Sequence, residues 1–113
     1  MKTRQIRIND AVARTTADVI RSELSDPRIG TVVSVIRAEV TADLKFCKIH
    51  VSILEGIGNP DETMTALTKA SGFIRRRIAE VVNLRHTPEI TFIYDDSIAY
   101  GMRMRKLIDE ANQ

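Results

Sequence analysis

Positive charge is concentrated in one stretch of this sequence, residues 69–86. It holds five basic residues and a single acid, Glu80, although the whole chain has a formal net charge of only +2. The basic residues are Lys69, Arg75, Arg76, Arg77 and Arg85. Guanidinium groups donate paired hydrogen bonds to phosphate oxygens. The stretch is therefore a candidate phosphate-binding surface, and the alternative is an ordinary solvated helix face.

A glycine, Gly72, stands just before the three consecutive arginines. Inside a helix, glycine costs roughly 1 kcal/mol relative to alanine. Two explanations stay open at this point. The helix packs closely against another element at Gly72, or it is interrupted there and presents free backbone amides that bind phosphate.

Signatures of catalysis and of cofactor binding are weak. The Gly-x-Gly at residues 56–58 has Asp61 where a dinucleotide-binding loop needs its third glycine. Asp95 and Asp96 follow a predicted strand, where helix capping explains them better than acid–base chemistry. We therefore expect no enzyme activity and no cofactor.

The single cysteine and the two histidines do not indicate a metal site either. Cys47 lies in an alternating segment and is expected to be a small buried apolar residue. His50 and His86 are far apart and have no second cysteine or histidine nearby, so a zinc site is not expected.

Composition limits the class of protein. The chain has 113 residues, 43% of them hydrophobic and 28% charged, which suits one domain spanning residues 1–113. No apolar run approaches the roughly 20 residues of a membrane span, and the N-terminus has no signal-peptide pattern. One cysteine permits no internal disulfide, which favours the reducing cytoplasm.

The first half of the chain predicts a helix and a hairpin. Residues 9–25 carry apolar side chains at helical spacing, with Asn9 or Asp10 as the cap, and Pro27 and Gly30 end the segment. Residues 31–40 and 46–54 predict antiparallel strands joined by a turn. On the first strand the expected inner face is Val32, Ser34, Ile36, Ala38 and Val40. On the second it is Cys47, Ile49, Val51 and Ile53.

The second half predicts a long helical segment, a strand and a last helix. Asn59 to Asp61 open the helical segment, whose apolar phase passes through Gly72 unchanged, and Pro88 ends it. Residues 89–95 predict a third strand, and residues 97–111 a helix capped by Ser97. Helices must cover one face of so small a sheet, so we expect a two-layer α+β domain.

This order resembles the KH module of the second topological type. In that module a Gly-x-x-Gly loop between two helices grips RNA, and the helices pack on a three-stranded sheet. Here the segment Lys-Ala-Ser-Gly-Phe has one glycine, so the fold is indicated while its usual grip is not. The expected order is α-β-β-α-kink-α-β-α.

Four segments carry a more specific resemblance, to the bacterial ribosome-binding factor A family. They are DPRIG (26–30), ADLKFCKIHVSIL (42–54), KASGFIRRRIAEVVNLRHTPEITFIYDDS (69–97) and GMRMRKLI (101–108). The resemblance implies a KH-like fold in which Ala70, Ser71 and Gly72 form an interhelical kink. It implies a non-enzymatic, monomeric factor that binds the free small ribosomal subunit and its ribosomal RNA. Members of the family assist late maturation of that subunit and are associated with growth in the cold.

The expected RNA-binding residues follow from the basic clusters and the kink. They are Lys69, Ser71, Gly72, Arg75, Arg76, Arg77 and Arg85, with Lys45, Lys48, Arg4 and Arg7 as weaker candidates, the last two on a basic N-terminal arm. Two other classes of protein stay open. One is a generic KH-like nucleic-acid-binding module with no tie to the ribosome, and the other is a protein-interaction domain with an exposed apolar patch.

Overall fold

A computed structural model describes residues 3–26, 29, 32–54 and 59–112 of the chain. The elements are α1 (Thr3–Ser22), β1 (Val33–Val40), β2 (Phe46–Ile53), α2 (Pro60–Val81), β3 (Glu89–Tyr94) and α3 (Ser97–Ala111). The expected α+β order is confirmed. The predicted stop at Pro27 and Gly30 and the Gly-x-Gly at 56–58 lie outside the described residues.

The strands form one sheet in the order β1-β2-β3. Strand β2 pairs antiparallel with β1, which confirms the hairpin, and parallel with β3. A parallel pair needs a crossover connection, and α2 supplies it. Helices α1 and α2 cover one face of the sheet, so the two-layer prediction is confirmed.

The core lies between that sheet face and the two helices. The inner side chains of β2 are buried as predicted, with Ile49 and Val51 fully inaccessible to solvent. Val12 of α1 and Leu67 of α2 meet them in one apolar cluster. The alternation on β2 and the helical spacing on α1 and α2 therefore specify the same buried layer.

The inner face of β1 differs from the prediction because the strand contains a bulge. Its pairing register shifts between Val35 and Arg37, so Ile36 has no partner on β2. Val33 and Val35 pair with inner residues of β2 before the bulge, and Ala38 continues that face after it. The extra residue reverses the alternation, so the predicted face is wrong for the first half of the strand.

Helix α1 begins earlier than the predicted residue 9. Asn9 is a buried residue within the helix rather than its cap, and its Oδ1 accepts a hydrogen bond from the backbone N–H of Val40 at 3.0 Å. The side-chain amide of Gln5 donates to the carbonyl oxygen of the same valine. These bonds hold the first turns of α1 against the end of β1. Arg4 and Arg7 therefore lie on the exposed side of α1, and the prediction of an N-terminal arm is wrong.

Helix α2 is a single helix of 22 residues, so the expected division into two helices at Gly72 is wrong. Its start is as predicted, because Asn59 caps it by accepting a hydrogen bond from Asp61 N at 2.8 Å. Leu67, Ile74 and Ile78 are fully buried on either side of the glycine. Because this buried face keeps its phase, packing against the sheet holds the helix together through Gly72.

Helix α3 begins differently from the prediction and is largely uncovered. The N-cap is Asp96, and Asp95 accepts a hydrogen bond from Ser97 N at 2.9 Å, so Ser97 is not the cap. Hydrogen bonds from Ser97 lower the pKa of Asp95. Residues 100–112 are all exposed. Among the described residues, no helix is long and apolar enough to cross a membrane.

Candidate nucleic-acid interface

The arginine triplet projects from the outer side of α2. Ile74 and Ile78 are fully buried against the sheet, which turns Arg75 and Arg76 toward solvent and leaves Arg77 half-buried. In sequence the three arginines form one charge cluster. Their contacts separate them into two residues that bond to other parts of the chain and one that has no partner among the described residues.

Arg75 fastens α2 to the segment that leads into β3. Its Nε donates to the carbonyl oxygen of Pro88 at 3.1 Å, and its Nη2 donates to that of Thr87 at 2.8 Å. Both carbonyl groups lie outside regular secondary structure. Arg75 therefore supplies donors that the backbone of this segment would otherwise obtain from water.

Arg77 is paired with two carboxylates. Its Nε lies 3.0 Å from Glu23 Oε1, just beyond α1, and its Nη1 bonds to Glu80 one turn further along α2. The hydrogen bonds that Arg77 donates to the carboxylate of Glu23 and, with a smaller effect, to that of Glu80 raise the pKa of Arg77. Two negative partners offset this positive charge, so Arg77 is a weak candidate for a phosphate contact.

Arg76 is the available member of the triplet. Its side chain is exposed, and it makes no hydrogen bond or ion pair with any residue that the structure describes. All of its donors can therefore reach a ligand from solvent. Arg76 is therefore the strongest candidate on α2 for the predicted phosphate contact.

A second basic site forms where three elements meet. Arg4 on α1 and Arg85 in the segment after α2 line one open cavity of about 500 Å³ beside the turn between β1 and β2. Lys45 is exposed in that turn, next to Leu44, which also lines the cavity. The structure thus brings together Arg4 and Arg85, which were separate candidates in the sequence, and places Lys45 in the adjoining turn.

The remaining basic candidates do not join either group. Lys48 lies on the uncovered face of the sheet, opposite Glu39 of β1. Lys69 lines a shallow groove of about 290 Å³ that Glu23 and Asp26 also line. Both lysines therefore have acidic neighbours. Arg7 is exposed on α1.

Gly72 is exposed, and a Cβ built on it meets no atom within 4 Å beyond its own helix. Close packing therefore does not explain the glycine, and α2 continues through it. Ser71, half-buried, donates from Oγ to the carbonyl oxygen of Thr68 at 2.6 Å, and Ala70 lines the groove beside Lys69. Because Gly72 has no side chain, it leaves the backbone of α2 uncovered one turn before Arg76.

Replacing Gly72 with alanine is expected to raise the free energy of unfolding by about 0.5–1 kcal/mol, because alanine loses less conformational entropy in a helix. Urea denaturation measures the change. If the glycine allows RNA to approach α2, the same variant binds its RNA partner more weakly while being more stable. An unchanged affinity would show that the bare helix surface is not part of the interface.

The uncovered face of the sheet holds a charged network that the sequence did not reveal. Arg37 Nε lies 3.0 Å from Glu39 Oε1, and Arg37 Nη1 lies 3.8 Å from Asp95 Oδ2. His50 Nε2 is 3.0 Å from Glu39 Oε1 but lacks hydrogen-bond geometry. The hydrogen bond from Arg37 lowers the pKa of Glu39. Alternation places Arg37 and Glu39 on the outer face of β1 and His50 on that of β2, but only the register of the sheet shows which of these groups lie close together.

Cys47 is buried, as expected, and burial raises the pKa of its thiol to about 11. The thiol therefore stays protonated at neutral pH and is a poor nucleophile. The described part of the chain contains no cluster of three histidine, cysteine or acidic residues that could hold a metal ion.

The sheet order, the two covering helices and the exposed basic groups define a KH-like domain of the second topological type. A family model for ribosome-binding factor A matches residues 4–108. The chain belongs to the ribosome-binding factor A family, so the resemblance seen in the sequence is confirmed.

Individual relatives agree with this assignment. A ribosome-binding factor A from Lachnospira eligens is 50% identical over 95% of this chain and 82% of its own length. The crystal structure of ribosome-binding factor A from Thermus thermophilus superimposes with a TM-score of 0.71 at 20% identity, over 80% of this chain and 94% of that one. A Thermus thermophilus model fitted into a cryo-EM map of a 30S–RbfA complex gives a TM-score of 0.62 at 22% identity, over 78% and 91%. The two structural matches establish the shared fold.

Proposed function

We propose that this chain is a ribosome assembly factor that binds the free small ribosomal subunit and its ribosomal RNA non-covalently. It assists late maturation of the subunit, including processing of the RNA, and is needed most in the cold. It acts in the cytoplasm as a monomer and catalyses no reaction. Membership in the ribosome-binding factor A family is the observation that carries this proposal.

The basic surface supports RNA as the partner. Arg76 offers an uncommitted guanidinium on α2, and Arg4, Lys45 and Arg85 place three more cations at the end of the sheet. Phosphate contacts of this kind release counterions, so the affinity falls as the salt concentration rises. Residues 69–72 add a helix surface close to Arg76 that an RNA backbone can approach.

A binding factor assists maturation by favouring one conformation of its partner. The free energy by which it shifts the equilibrium equals the difference between its binding free energies for the two conformations. To move such an equilibrium from 1:99 to 99:1, the factor has to bind the favoured conformation about 10⁴-fold more tightly than the other, which corresponds to about 5.5 kcal/mol. The protein therefore has to recognise a shape that the immature subunit adopts, rather than phosphate alone, and it leaves when that shape is lost.

Sedimentation of the purified protein with free small subunits and with whole ribosomes, at low and moderate salt, tests the proposal. We expect co-sedimentation with the free subunit alone, weakened by salt. Equal binding to unrelated RNA or DNA would instead indicate a generic nucleic-acid module. Absence from every ribosomal fraction at both salt concentrations would overturn the proposal.

A protein-interaction domain is the second candidate, because α3 exposes large apolar side chains. Tyr100, Met102, Leu107 and Ile108 are each more than half exposed. Contacts through such a surface depend little on salt, because they bury apolar area rather than charge. Salt-insensitive binding that survives the loss of Arg76 but not of Leu107 would support this candidate.

A further inference from the structure

The cavity at the end of the sheet combines an apolar lining with two cations. Its walls come from α1, from the end of β1 with the turn that follows, and from the segment after α2. The lining residues are Arg4, Gln5, Ile8, Val40, Ala42, Leu44 and Arg85. No carboxylate is among the described residues that line it, so the charge inside is positive only.

Leu44 takes an unusual conformation to form part of this lining. Its φ is +63°, in the left-handed region that bulky residues rarely adopt, yet its side chain is only 5% exposed. The turn holds it there, because Asp43 Oδ1 accepts from Lys45 N at 3.0 Å and Thr41 Oγ1 accepts from Phe46 N at 3.1 Å. Residues strained in this way cluster at binding sites.

Both arginines of the cavity are available to a ligand. Arg4 and Arg85 are exposed, and neither makes a hydrogen bond or ion pair within the described ranges of the chain. They belong to separate elements, so only the tertiary fold places them around one opening. Two guanidinium groups at the rim of an apolar cavity match a ligand with two anionic groups and a flat apolar body.

We propose that this cavity takes one unstacked nucleotide of single-stranded RNA. Its base lies against Ile8, Val40 and Leu44, and the phosphates on either side of it contact Arg4 and Arg85. A volume of about 500 Å³ falls within the range of small-ligand sites and accommodates one nucleotide. Sequence-specific recognition of RNA commonly uses bases splayed out of their stack in this way. The inference rests on the proposed function and deepens it, because it assigns the basic group at the sheet end to a single-stranded segment.

A short oligoadenylate with one 2-aminopurine is the probe, because this base becomes fluorescent when it leaves the stack. Wild-type protein is expected to raise its fluorescence on binding. Ala42→Leu adds bulk at the wall of the cavity without changing any charge or supplying an aromatic ring on which a base could stack. It is expected to abolish the fluorescence change and weaken binding about tenfold, since the base then loses its apolar contacts with the cavity.

The double variant Arg4→Gln, Arg85→Gln removes the two phosphate contacts but keeps the cavity. The slope of log affinity against log salt is expected to become shallower by about 1.4, as two lost single-strand contacts require. Arg14→Gln is the matched control, because Arg14 is exposed on α1 and does not line the cavity. It is expected to leave the slope and the fluorescence unchanged. Circular dichroism confirms that each variant is folded.

The outcomes separate this inference from the proposed function. No fluorescence change with the wild type, or an Ala42→Leu variant that behaves as the wild type does, overturns the nucleotide site. Co-sedimentation with the free small subunit then still supports the assembly factor. If oligoadenylate binding follows the pattern above but no ribosomal fraction contains the protein, the cavity stands and the ribosomal function fails.

Discussion

Replacing Asn9 with alanine is expected to lower the free energy of unfolding by about 1–2 kcal/mol. The side-chain oxygen of Asn9 accepts the backbone N–H of Val40 at 3.0 Å in a buried position. Alanine leaves that donor unsatisfied, which costs about 1–3 kcal/mol, and its better helix propensity returns several tenths. Urea denaturation followed by circular dichroism measures the change.

Asn83→Ala is the matched control, because Asn83 is exposed in the segment after α2. It is expected to change stability by less than about 0.5 kcal/mol. If both variants unfold at the same urea concentration, the bond between α1 and β1 does not contribute to stability in the way the geometry indicates.

Arg75→Gln is expected to lower stability and Arg76→Gln to weaken binding, although the two residues are neighbours. Arg75 bonds to the carbonyl groups of Thr87 and Pro88, so its loss lowers the free energy of unfolding by about 1–2 kcal/mol. Arg76 has no such partner among the described residues, so its loss leaves stability within about 0.5 kcal/mol of the wild type. Under the proposed function, Arg76→Gln instead weakens binding to the small subunit and reduces the salt slope by about 1.

The two variants serve as controls for each other, because each removes one positive charge from the same turn of α2. Denaturation midpoints and salt-dependent co-sedimentation are measured for both. Equal losses of subunit binding would show that net charge, and not the free guanidinium of Arg76, determines the affinity. A destabilised Arg76→Gln variant would contradict the conclusion that Arg76 has no structural role.

These results bear on how a charge cluster in a sequence is interpreted. The run of three arginines indicated phosphate binding because it lies in a stretch that holds five basic residues and one acid. In the folded chain two of them bond to other groups of the protein. One of these groups is the carboxylate of Glu23, which is 54 residues from Arg77 in sequence. A run of basic residues therefore shows where charge is concentrated, while the number of free cations depends on which acidic and carbonyl groups the fold brings near.

Gly72 likewise shows that a glycine in a helical pattern does not by itself reveal the local structure. Its position between two halves of an apolar pattern indicated either a close contact or an interruption. The open space around it and the uninterrupted helix exclude both within the described structure. The helix survives because Ile74 and Ile78 are held by the sheet, and this contribution exceeds the propensity that one glycine forfeits.

The sequence by itself determined the order of the helices and strands, apart from the predicted division of α2, together with the buried face of β2 and the family. The elements and the buried face follow from side-chain spacing along a short stretch, which is a local property of the chain, and the family follows from the resemblance of four segments to its members. Only the tertiary structure decided the bulge in β1, the free or bound state of each arginine, and the cavity shared by Arg4 and Arg85. Each of these depends on groups that are distant in sequence and meet only when the sheet and its helices pack together.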